Sequence, residues 1–502
     1  MSHLRKIVGY TGIMVMLSVL LKPIGIVKDM LVASKFGVNA DLGIYFLFIG
    51  IAKFFASMMY SMHRGSVTPY YIKIKMSGDN SQAYSLAILS GFIYILLITF
   101  VCCILYVFIV PFIHVFAPGF TADKVLSASK SALYLVVLIA SMAANDFFTS
   151  VLEAEKRFVS TRLSQACVSI TVIAIVWFYH QNGWVVLLQG LALGYLIAAI
   201  IQALVYITII KSTIFCFPKA IHKLKEILPL WLTMGAGAFV ANSSNVIDRM
   251  MTSILGGHEL AVYGYADTLV SNISGIFILS INTAVLPVFS AISADNKPEL
   301  CETVFKTYRY SVAFILPVVL IMSIYGDRLI QIIYQHGNFT ETDTNDVFNV
   351  LRFLIIAIIP TIGAVLLARV YSVLHDAKTT LYSAIISSIL NVGFDYILMQ
   401  SHGVAGIALA TVLVNLIIVL FFTLILSIKH NMRITPHNIL GFLGLLMTGT
   451  IVWYASTLGR QNGIIMSFLI FVITFLCCIY IFRLHEYQQG FKMLYNKARD
   501  KI

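Results

Sequence analysis

The feature that most limits the possible folds of this chain is a series of apolar stretches long enough to cross a lipid bilayer. The plainest is Ile464 to Phe482, nineteen residues without a charged side chain. A helix of about twenty apolar residues spans the hydrocarbon core of a membrane. Hydrophobic residues make up 59% of the chain and charged residues 11%, and soluble domains carry about twice that charged fraction. The sequence therefore predicts an all-α polytopic membrane protein.

Fourteen transmembrane helices are predicted from these stretches. Their approximate bounds are 7–33, 43–62, 83–110, 130–152, 161–180, 185–210, 227–253, 261–290, 310–325, 347–373, 380–399, 404–427, 438–457 and 463–482. With the N-terminus in the cytoplasm, loops on that side carry 24 lysines and arginines, and the opposite side carries six. Because basic loops stay in the cytoplasm, this asymmetry predicts that both termini are cytoplasmic. It also explains the net charge of +12 without a nucleic-acid partner.

A repeat divides most of the chain into two copies, offset by 218 to 222 residues. Its matching segments are Asp29 to Gly37 with Asp248 to Gly256, Phe116 to Thr121 with Tyr334 to Thr340, and Ser150 to Lys156 with Ser372 to Lys378. The repeat predicts an N-terminal lobe of six spans over 1–210, a cytoplasmic linker over 211–226, a C-terminal lobe of six spans over 227–428, and two further spans with a cytoplasmic tail over 429–502. Two lobes with a site between them are typical of transporters.

Ionisable side chains occur inside the first two spans, where insertion scales assign each a cost of roughly 3 kcal/mol at the bilayer centre. Lys22 and Asp29 share one face of the first helix, Lys28 lies beside that face, and Lys53 is in the second span. Two interpretations remain open. The lysines either line a water-filled cavity that attracts an anion, or Lys22 and Lys53 extend to the membrane interface while Lys28 pairs with a carboxylate.

A second group of polar residues lies in the C-terminal half. Asp248 belongs to a polar stripe at three- and four-residue spacing in span 7, Asn391 and Asp395 form a similar stripe in span 11, and Thr411 lies in span 12. Oxygen-rich side chains with two carboxylates suit a hard monovalent cation, Na⁺ or H⁺, better than a transition metal. The alternative is hydrogen bonding that holds the helices together. Asp267 in span 8 is a weaker candidate, which we assign to substrate binding with Lys22, Lys28, Asp29 and Lys53.

These motifs resemble the MurJ/MviN lipid II flippases of the multidrug/oligosaccharidyl-lipid/polysaccharide (MOP) exporter superfamily, over spans 1 to 12. The motifs that carry the resemblance are Gly25-Ile-Val-Lys28-Asp29 with Phe36-Gly37, Ala117-Pro-Gly-Phe120, Tyr265-Ala-Asp267 with Leu286-Pro287, Tyr334 to Thr340, and the run around Asp376-Ala-Lys378-Thr379. The resemblance implies fourteen helices in two lobes and a central cationic cavity. It also implies that an undecaprenyl-diphosphate-linked sugar is carried from the inner to the outer leaflet of the bacterial inner membrane by alternating access.

The same resemblance bears on the two polar groups. Some family members are coupled to sodium through positions that match Asp248, Asn391, Asp395 and Thr411 here. The two arginines of the family's first helix are Lys22 and Lys28 in this chain, which keep the charge but lose the bidentate fork for phosphate. The arginine pair of helix 2 falls near Phe55 and Ala56, the acidic residue expected a few positions later is Tyr60, and the arginine of helix 8 is Thr268. The glycan therefore stays open between lipid II and the repeat unit of a capsule, O-antigen or exopolysaccharide.

Other function classes are less favoured. A cation-coupled multidrug antiporter of the same superfamily needs an acidic or apolar cavity, and the lysines argue against one. A membrane glycan polymerase or ligase needs a large outward loop with catalytic Arg or His. Phosphate-cradling loops and nucleophile motifs are absent from the sequence, so we expect no enzyme and no tightly bound cofactor. A non-transporting scaffold is disfavoured by the charges inside the spans. We expect a monomer in the phospholipid bilayer.

Overall fold

The computed structural model describes residues 2–210, 217–292, 296–482, 484 and 486–487. Helices joined by short turns make up this part of the chain, which contains no strand, so the all-α prediction is confirmed. The α-helices, numbered in chain order, are α1 Ser2–Phe36, α2 Ala40–Met62, α3 Thr68–Met76, α4 Asn80–Val107, α5 Ile109–Phe116, α6 Ala122–Lys130, α7 Ala132–Ala154, α8 Phe158–Tyr179, α9 Val185–Ile210, α10 Phe217–Leu255, α11 Gly257–Ala291, α12 Lys297–Ile333, α13 Glu341–Leu354, α14 Ile358–Val373, α15 Ala377–His430, α16 Pro436–Gly459 and α17 Ile464–Ile481.

Eleven helical segments among the described residues are long and apolar enough to cross a membrane. Each of the fourteen predicted spans overlaps a helix, and those near 7–33 and 261–290 lie in α1 and α11, which are not among the eleven. Two predicted spans, 380–399 and 404–427, share α15, which departs from helical geometry at Gly403 with φ 57° and ψ −137°. The chain thus has the helices of a multi-pass membrane protein, and the count of fourteen stays a prediction.

The chain forms two compact units, each assembled from several stretches of sequence. The first comprises Met1–Tyr265, Gln331–Asp346 and Ser388–Ile407, and the second comprises Ala266–Ile330, Val347–Ser387 and Ala408–Ile502. The division into lobes at 211–226 remains a proposal based on the repeat. Residues 211–216 of that linker lie outside the described residues.

Within the first unit, α7, α8 and α9 pack closely around a buried amide. The Nε2 group of Gln202 on α9 donates to Asn145 Oδ1 at 2.9 Å and to Ser164 Oγ at 2.6 Å. Its Oε1 accepts from the hydroxyl of Thr149 at 3.1 Å. Hydrogen bonds between helices hold membrane bundles together where lipid offers no other partner. This network therefore holds α7, α8 and α9 together.

In the second unit, the segment before α15 is fixed by a buried carboxylate. Asp376 is the N-cap of α15 and accepts from Thr379 Oγ1 at 2.7 Å, from Lys429 Nζ at 2.7 Å and from His430 Nε2 at 3.1 Å. Burial acts to raise the pKa of Asp376, but the hydrogen bonds from Lys429, Thr379 and His430 outweigh it, and the pKa lies below its usual value. The ionised carboxylate thus links both ends of the long helix α15.

We expect Asp376→Asn to lower the free energy of unfolding by about 1 kcal/mol at pH 7, because asparagine still caps the helix but loses the charge-assisted hydrogen bonds from Lys429 and His430. Because the folded-state pKa is depressed, this contribution is present above the unfolded-state pKa of about 4 and is lost as the pH falls through the folded-state value. Thermal unfolding of wild type and variant in detergent, followed from pH 7 to pH 3, measures the difference. Asp123→Asn, an exposed aspartate on α6, is the control. A gap between wild type and variant that stays constant over this pH range would contradict the assignment.

Candidate functional site

The most completely buried acidic group in the first unit lies between α10 and α15. Asp248, Asn391 and Asp395 are 3%, 2% and 0% exposed. Asn391 Nδ2 donates a hydrogen bond to Asp248 Oδ1 and a second, at 3.2 Å, to the carbonyl oxygen of Ser244. The hydroxyl of Tyr263 donates to Asp248 Oδ2 at 2.9 Å. Both oxygens of Asp248 are therefore satisfied by neutral donors, which fix the carboxylate in place.

Asp395 is in the opposite situation. Neither of its carboxylate oxygens accepts a hydrogen bond from a donor group within the described part of the chain, but the carboxyl group of Asp248 lies within hydrogen-bond reach when one of the two is protonated. Asp395 lies one helical turn from Asn391, and its carboxyl group is close enough to Asp248 for their charges to interact. Two ionised carboxylates in a buried site repel each other and lose their hydration, so one takes up a proton or the two share a cation. The orphaned oxygens of Asp395 therefore fit a small monovalent cation or a proton.

The fourth residue of the predicted cation site, Thr411, is half-buried on the C-terminal part of α15. It belongs to the second compact unit, whereas the other three residues belong to the first. Its backbone carbonyl accepts from Asn415 Nδ2 at 3.0 Å. The role of the Thr411 hydroxyl at the cation site stays a prediction.

The lysines predicted to bind an anion lie on α1 and α2. Lys28 forms an ion pair with Asp29, with 2.8 Å between Nζ and Oδ1. Lys22, half-buried like Lys28, is within electrostatic range of both. Lys53 is exposed on α2. The structure thus brings Lys22, Lys28 and Asp29 together on α1. The ion pair of Lys28 is the one expected from the interpretation in which Lys28 pairs with a carboxylate. Their binding of an anion stays a prediction.

Asp267, the remaining predicted substrate residue, lies on α11 in the second unit. It is half-buried, and its Oδ1 accepts from the hydroxyl of Ser271 at 3.2 Å, one turn further along the helix. This contact orients the carboxylate but does not show what the carboxylate binds. Its role in substrate binding remains a prediction.

Two residues of this region were not expected as functional groups. Tyr263, which was not among the predicted site residues, donates to Asp248. Arg249, next to Asp248, is 6% exposed and donates from Nη1 to the carbonyl oxygen of Phe46 at 2.9 Å. The sequence signal for Arg249 was its position in an apolar span, since a buried guanidinium needs hydrogen-bond acceptors. Its acceptor lies in the first copy of the repeat, far away in sequence.

Comparison with known proteins places the chain in a family. Residues 32–474 match the family model described as "Lipid II flippase MurJ". Among curated relatives, "Lipid II flippase MurJ" from Thermosipho africanus is 26% identical over 81% of this chain and 82% of the relative. "Probable lipid II flippase MurJ" from Thermotoga maritima is 23% identical over 89% of this chain and 92% of the relative.

Solved structures show the same fold. A structure described as "Lipid II flippase MurJ, inward closed conformation" matches with a TM-score of 0.77 and 21% identity, over 94% of this chain and 98% of the other. An inward-facing multidrug resistance MATE family transporter of the MOP superfamily matches with a TM-score of 0.63 and 16% identity, over 82% of this chain and 94% of the other.

Proposed function

This chain belongs to the lipid II flippase MurJ family, and we propose that it carries an undecaprenyl-diphosphate-linked glycan across the bacterial inner membrane by alternating access. The observation that supports this most strongly is the family match, which extends over residues 32–474. This match favours a transporter over a glycan polymerase or ligase. The head group is lipid II or the repeat unit of a surface polysaccharide.

In this proposal the diphosphate is recognised by the cationic face of α1. Lys22 and Lys28 supply positive charge, Lys53 adds to it from α2, and Asp29 orients Lys28. Asp267 is a further substrate-binding residue. A diphosphate competes with Asp29 for Lys28 because charge-assisted hydrogen bonds to phosphate are strong. The lipid tail stays in the bilayer while the head group crosses. Lys22, Lys28 and Asp29 precede the residues matched by the family model, so this part of the proposal depends on the α1 geometry.

The driving force in this proposal is a cation taken up at Asp248, Asn391 and Asp395, with Thr411 as a further oxygen donor. The orphaned carboxylate of Asp395 supports either Na⁺ or H⁺ as the coupling ion. We place both termini in the cytoplasm because of the asymmetric distribution of basic residues. The protein acts as a monomer.

A multidrug antiporter is the second candidate, because a MATE transporter shares the fold. A multidrug antiporter binds cationic drugs only if its cavity attracts positive charge. Lys22 and Lys28 on α1 repel such drugs, and the Asp29 carboxylate is already paired with Lys28. The charge on α1 therefore favours an anionic head group.

We expect this chain to restore growth to a bacterium depleted of its own lipid II flippase, provided that immunoblotting shows equal membrane expression. Restored growth means that lysines suffice for the lipid II diphosphate. Absence of rescue at equal expression would exclude lipid II. Accumulation of lipid-linked repeat units on the inner leaflet, after deletion of the gene in its own host, would then identify a polysaccharide substrate. Accumulation of neither lipid would contradict the flippase proposal.

A further inference from the structure

Three side chains of the first unit lie around the ion pair of Lys28 and Asp29, and we name them the tyrosine–aspartate cluster. They are Tyr45 on α2, Asp146 on α7 and Tyr195 on α9. Tyr45 and Tyr195 are within electrostatic range of Lys28, and Asp146 is within electrostatic range of Tyr195. Helices α2, α7 and α9 all belong to segments long and apolar enough to cross a membrane. The cluster therefore adds polar groups from three such helices to the cationic face of α1.

The tyrosine hydroxyl groups of this cluster have unused hydrogen-bonding capacity. Within the described part of the chain, neither the hydroxyl of Tyr45 nor that of Tyr195 makes a hydrogen bond. Tyr45 is only 4% exposed, so its hydroxyl is removed from bulk solvent. Buried polar groups in proteins are almost always hydrogen-bonded, and each exception requires an explanation. Two such hydroxyl groups beside a lysine are the first feature that points to a ligand.

The carboxylate of Asp146 is the second feature that points to a ligand. Asn145 Oδ1 accepts from Gln202 Nε2 at 2.9 Å, which orients the amide so that Asn145 Nδ2 donates to Asp146 Oδ1 at 3.3 Å. Among the described residues, Asp146 Oδ2 accepts no hydrogen bond, and no lysine or arginine pairs with Asp146. A carboxylate inside a membrane-spanning helix is costly and suggests a functional site. Because Asp146 is only half-buried, its second oxygen is able to accept a hydrogen bond from a ligand.

We propose that the tyrosine–aspartate cluster binds the sugar that is attached directly to the diphosphate of the lipid-linked glycan. This inference rests on the proposed function, in which Lys22 and Lys28 bind the diphosphate. The first sugar follows the diphosphate without a spacer. A diphosphate on Lys28 therefore places this sugar beside Tyr45 and Tyr195, with Asp146 on the far side of Tyr195 from Lys28 in the chain of electrostatic contacts.

The three side chains match the chemistry of a sugar ring. A carboxylate oxygen accepts hydrogen bonds from sugar hydroxyl or amide N–H groups, and a tyrosine hydroxyl both donates and accepts. Tyrosine rings also supply apolar surface for the C–H face of the sugar. The negative charge of Asp146 repels a phosphate group, so the diphosphate is directed to the lysines and the neutral sugar to the cluster.

The test compares binding of lipids with and without a sugar. The probes are undecaprenyl diphosphate, undecaprenyl-diphosphate-linked N-acetylglucosamine and lipid II, and native mass spectrometry of the purified chain in detergent measures their affinities. We expect Asp146→Asn to weaken binding of a sugar-bearing lipid about tenfold, because a hydrogen bond to a charged group is lost, and to leave undecaprenyl diphosphate unchanged. Tyr195→Phe should show the same selectivity with a smaller loss, whereas Lys28→Gln should weaken all three. Asp123→Asn and Tyr106→Phe, both exposed, are the matched controls.

Equal binding of the sugar-bearing lipids by wild type and Asp146→Asn would overturn the proposal. So would an equal loss for undecaprenyl diphosphate, because Asp146 then acts on the diphosphate site or on the fold. If Asp146→Asn does not fold, Tyr195→Phe decides, since it removes one oxygen from a half-buried side chain. A wild-type chain that binds all three lipids equally excludes the sugar subsite and leaves the diphosphate site intact. A folded wild-type chain that binds none of them contradicts the proposed function itself, and the sugar subsite with it.

Discussion

Asp395→Asn is expected to remove the dependence of transport on a cation gradient and to slow transport by about 10- to 100-fold, the range of a typical coupling free energy. Asp395 is completely buried, and apart from the carboxyl group of Asp248 its two oxygens have no hydrogen-bond partner among the described residues. Asparagine has nearly the same shape but carries no charge and cannot exchange a proton. The variant therefore keeps the packing of α15 and loses the group that distinguishes the cation-bound from the free state.

The measurement is head-group flipping in proteoliposomes, with and without an imposed Na⁺ or pH gradient. Asp123→Asn, which neutralises an exposed carboxylate on α6, controls for the loss of one negative charge. If neither gradient changes the transport rate of wild type or of Asp395→Asn, the coupling proposal is wrong. Wild-type coupling retained in Asp395→Asn would place the cation elsewhere.

The choice between Na⁺ and H⁺ follows from a neighbouring residue. Asn391→Ala removes an amide oxygen that Na⁺ can bind, as well as the donor to Asp248 Oδ1. A proton needs only the carboxylates. We therefore expect Asn391→Ala to abolish a response to Na⁺ but to leave a response to a pH gradient. This makes the pair of variants at Asn391 and Asp395 more informative than either alone.

The position of this site could be predicted from the sequence because it depends on local periodicity. Polar residues at three- and four-residue spacing placed Asp248 on one face of α10, and placed Asn391 and Asp395 on one face of α15. The apolar stretches gave the helices for the same reason, since length and hydropathy are local properties. The boundary between the predicted spans 380–399 and 404–427 coincides with the distorted geometry at Gly403.

The contacts that complete the site could not be predicted in this way because they join residues far apart in sequence. Tyr263 reaches Asp248 only because the chain reverses at Gly256, where φ is 140°. The contact of Gly119 with Ser253 depends on how the two copies of the repeat meet. Periodicity fixes which face of a helix is polar, but not which helix lies against that face. The hydrogen bonds of Asp248, and the absence of a donor to Asp395 among the described residues, therefore had to come from the structure.

We expect the double variant Lys22→Ala, Lys28→Ala to lose transport by about 100-fold or more, because each charge-assisted hydrogen bond to a diphosphate contributes about 1.5–3 kcal/mol. Removal of Lys28 also leaves Asp29 without the ion pair seen at 2.8 Å. Its carboxylate then repels the diphosphate. The single variant Lys28→Ala should for this reason be more damaging than Lys22→Ala. Flipping of the labelled lipid in proteoliposomes, with equal amounts of inserted protein, measures both.

The matched variant is Lys28→Arg, which keeps the charge and adds a planar guanidinium that can donate two parallel hydrogen bonds to a phosphate. If α1 binds a diphosphate, Lys28→Arg keeps transport at or above the wild-type rate, while Lys28→Gln, with similar length and no charge, loses it. If the ion pair with Asp29 only stabilises α1, Lys28→Arg keeps the pair and its stability, Lys28→Gln folds less well, and transport per folded molecule stays unchanged in both. Thermal unfolding measured beside transport separates these outcomes. A Lys28→Gln protein that unfolds earlier but transports normally would assign Lys28 to the fold alone.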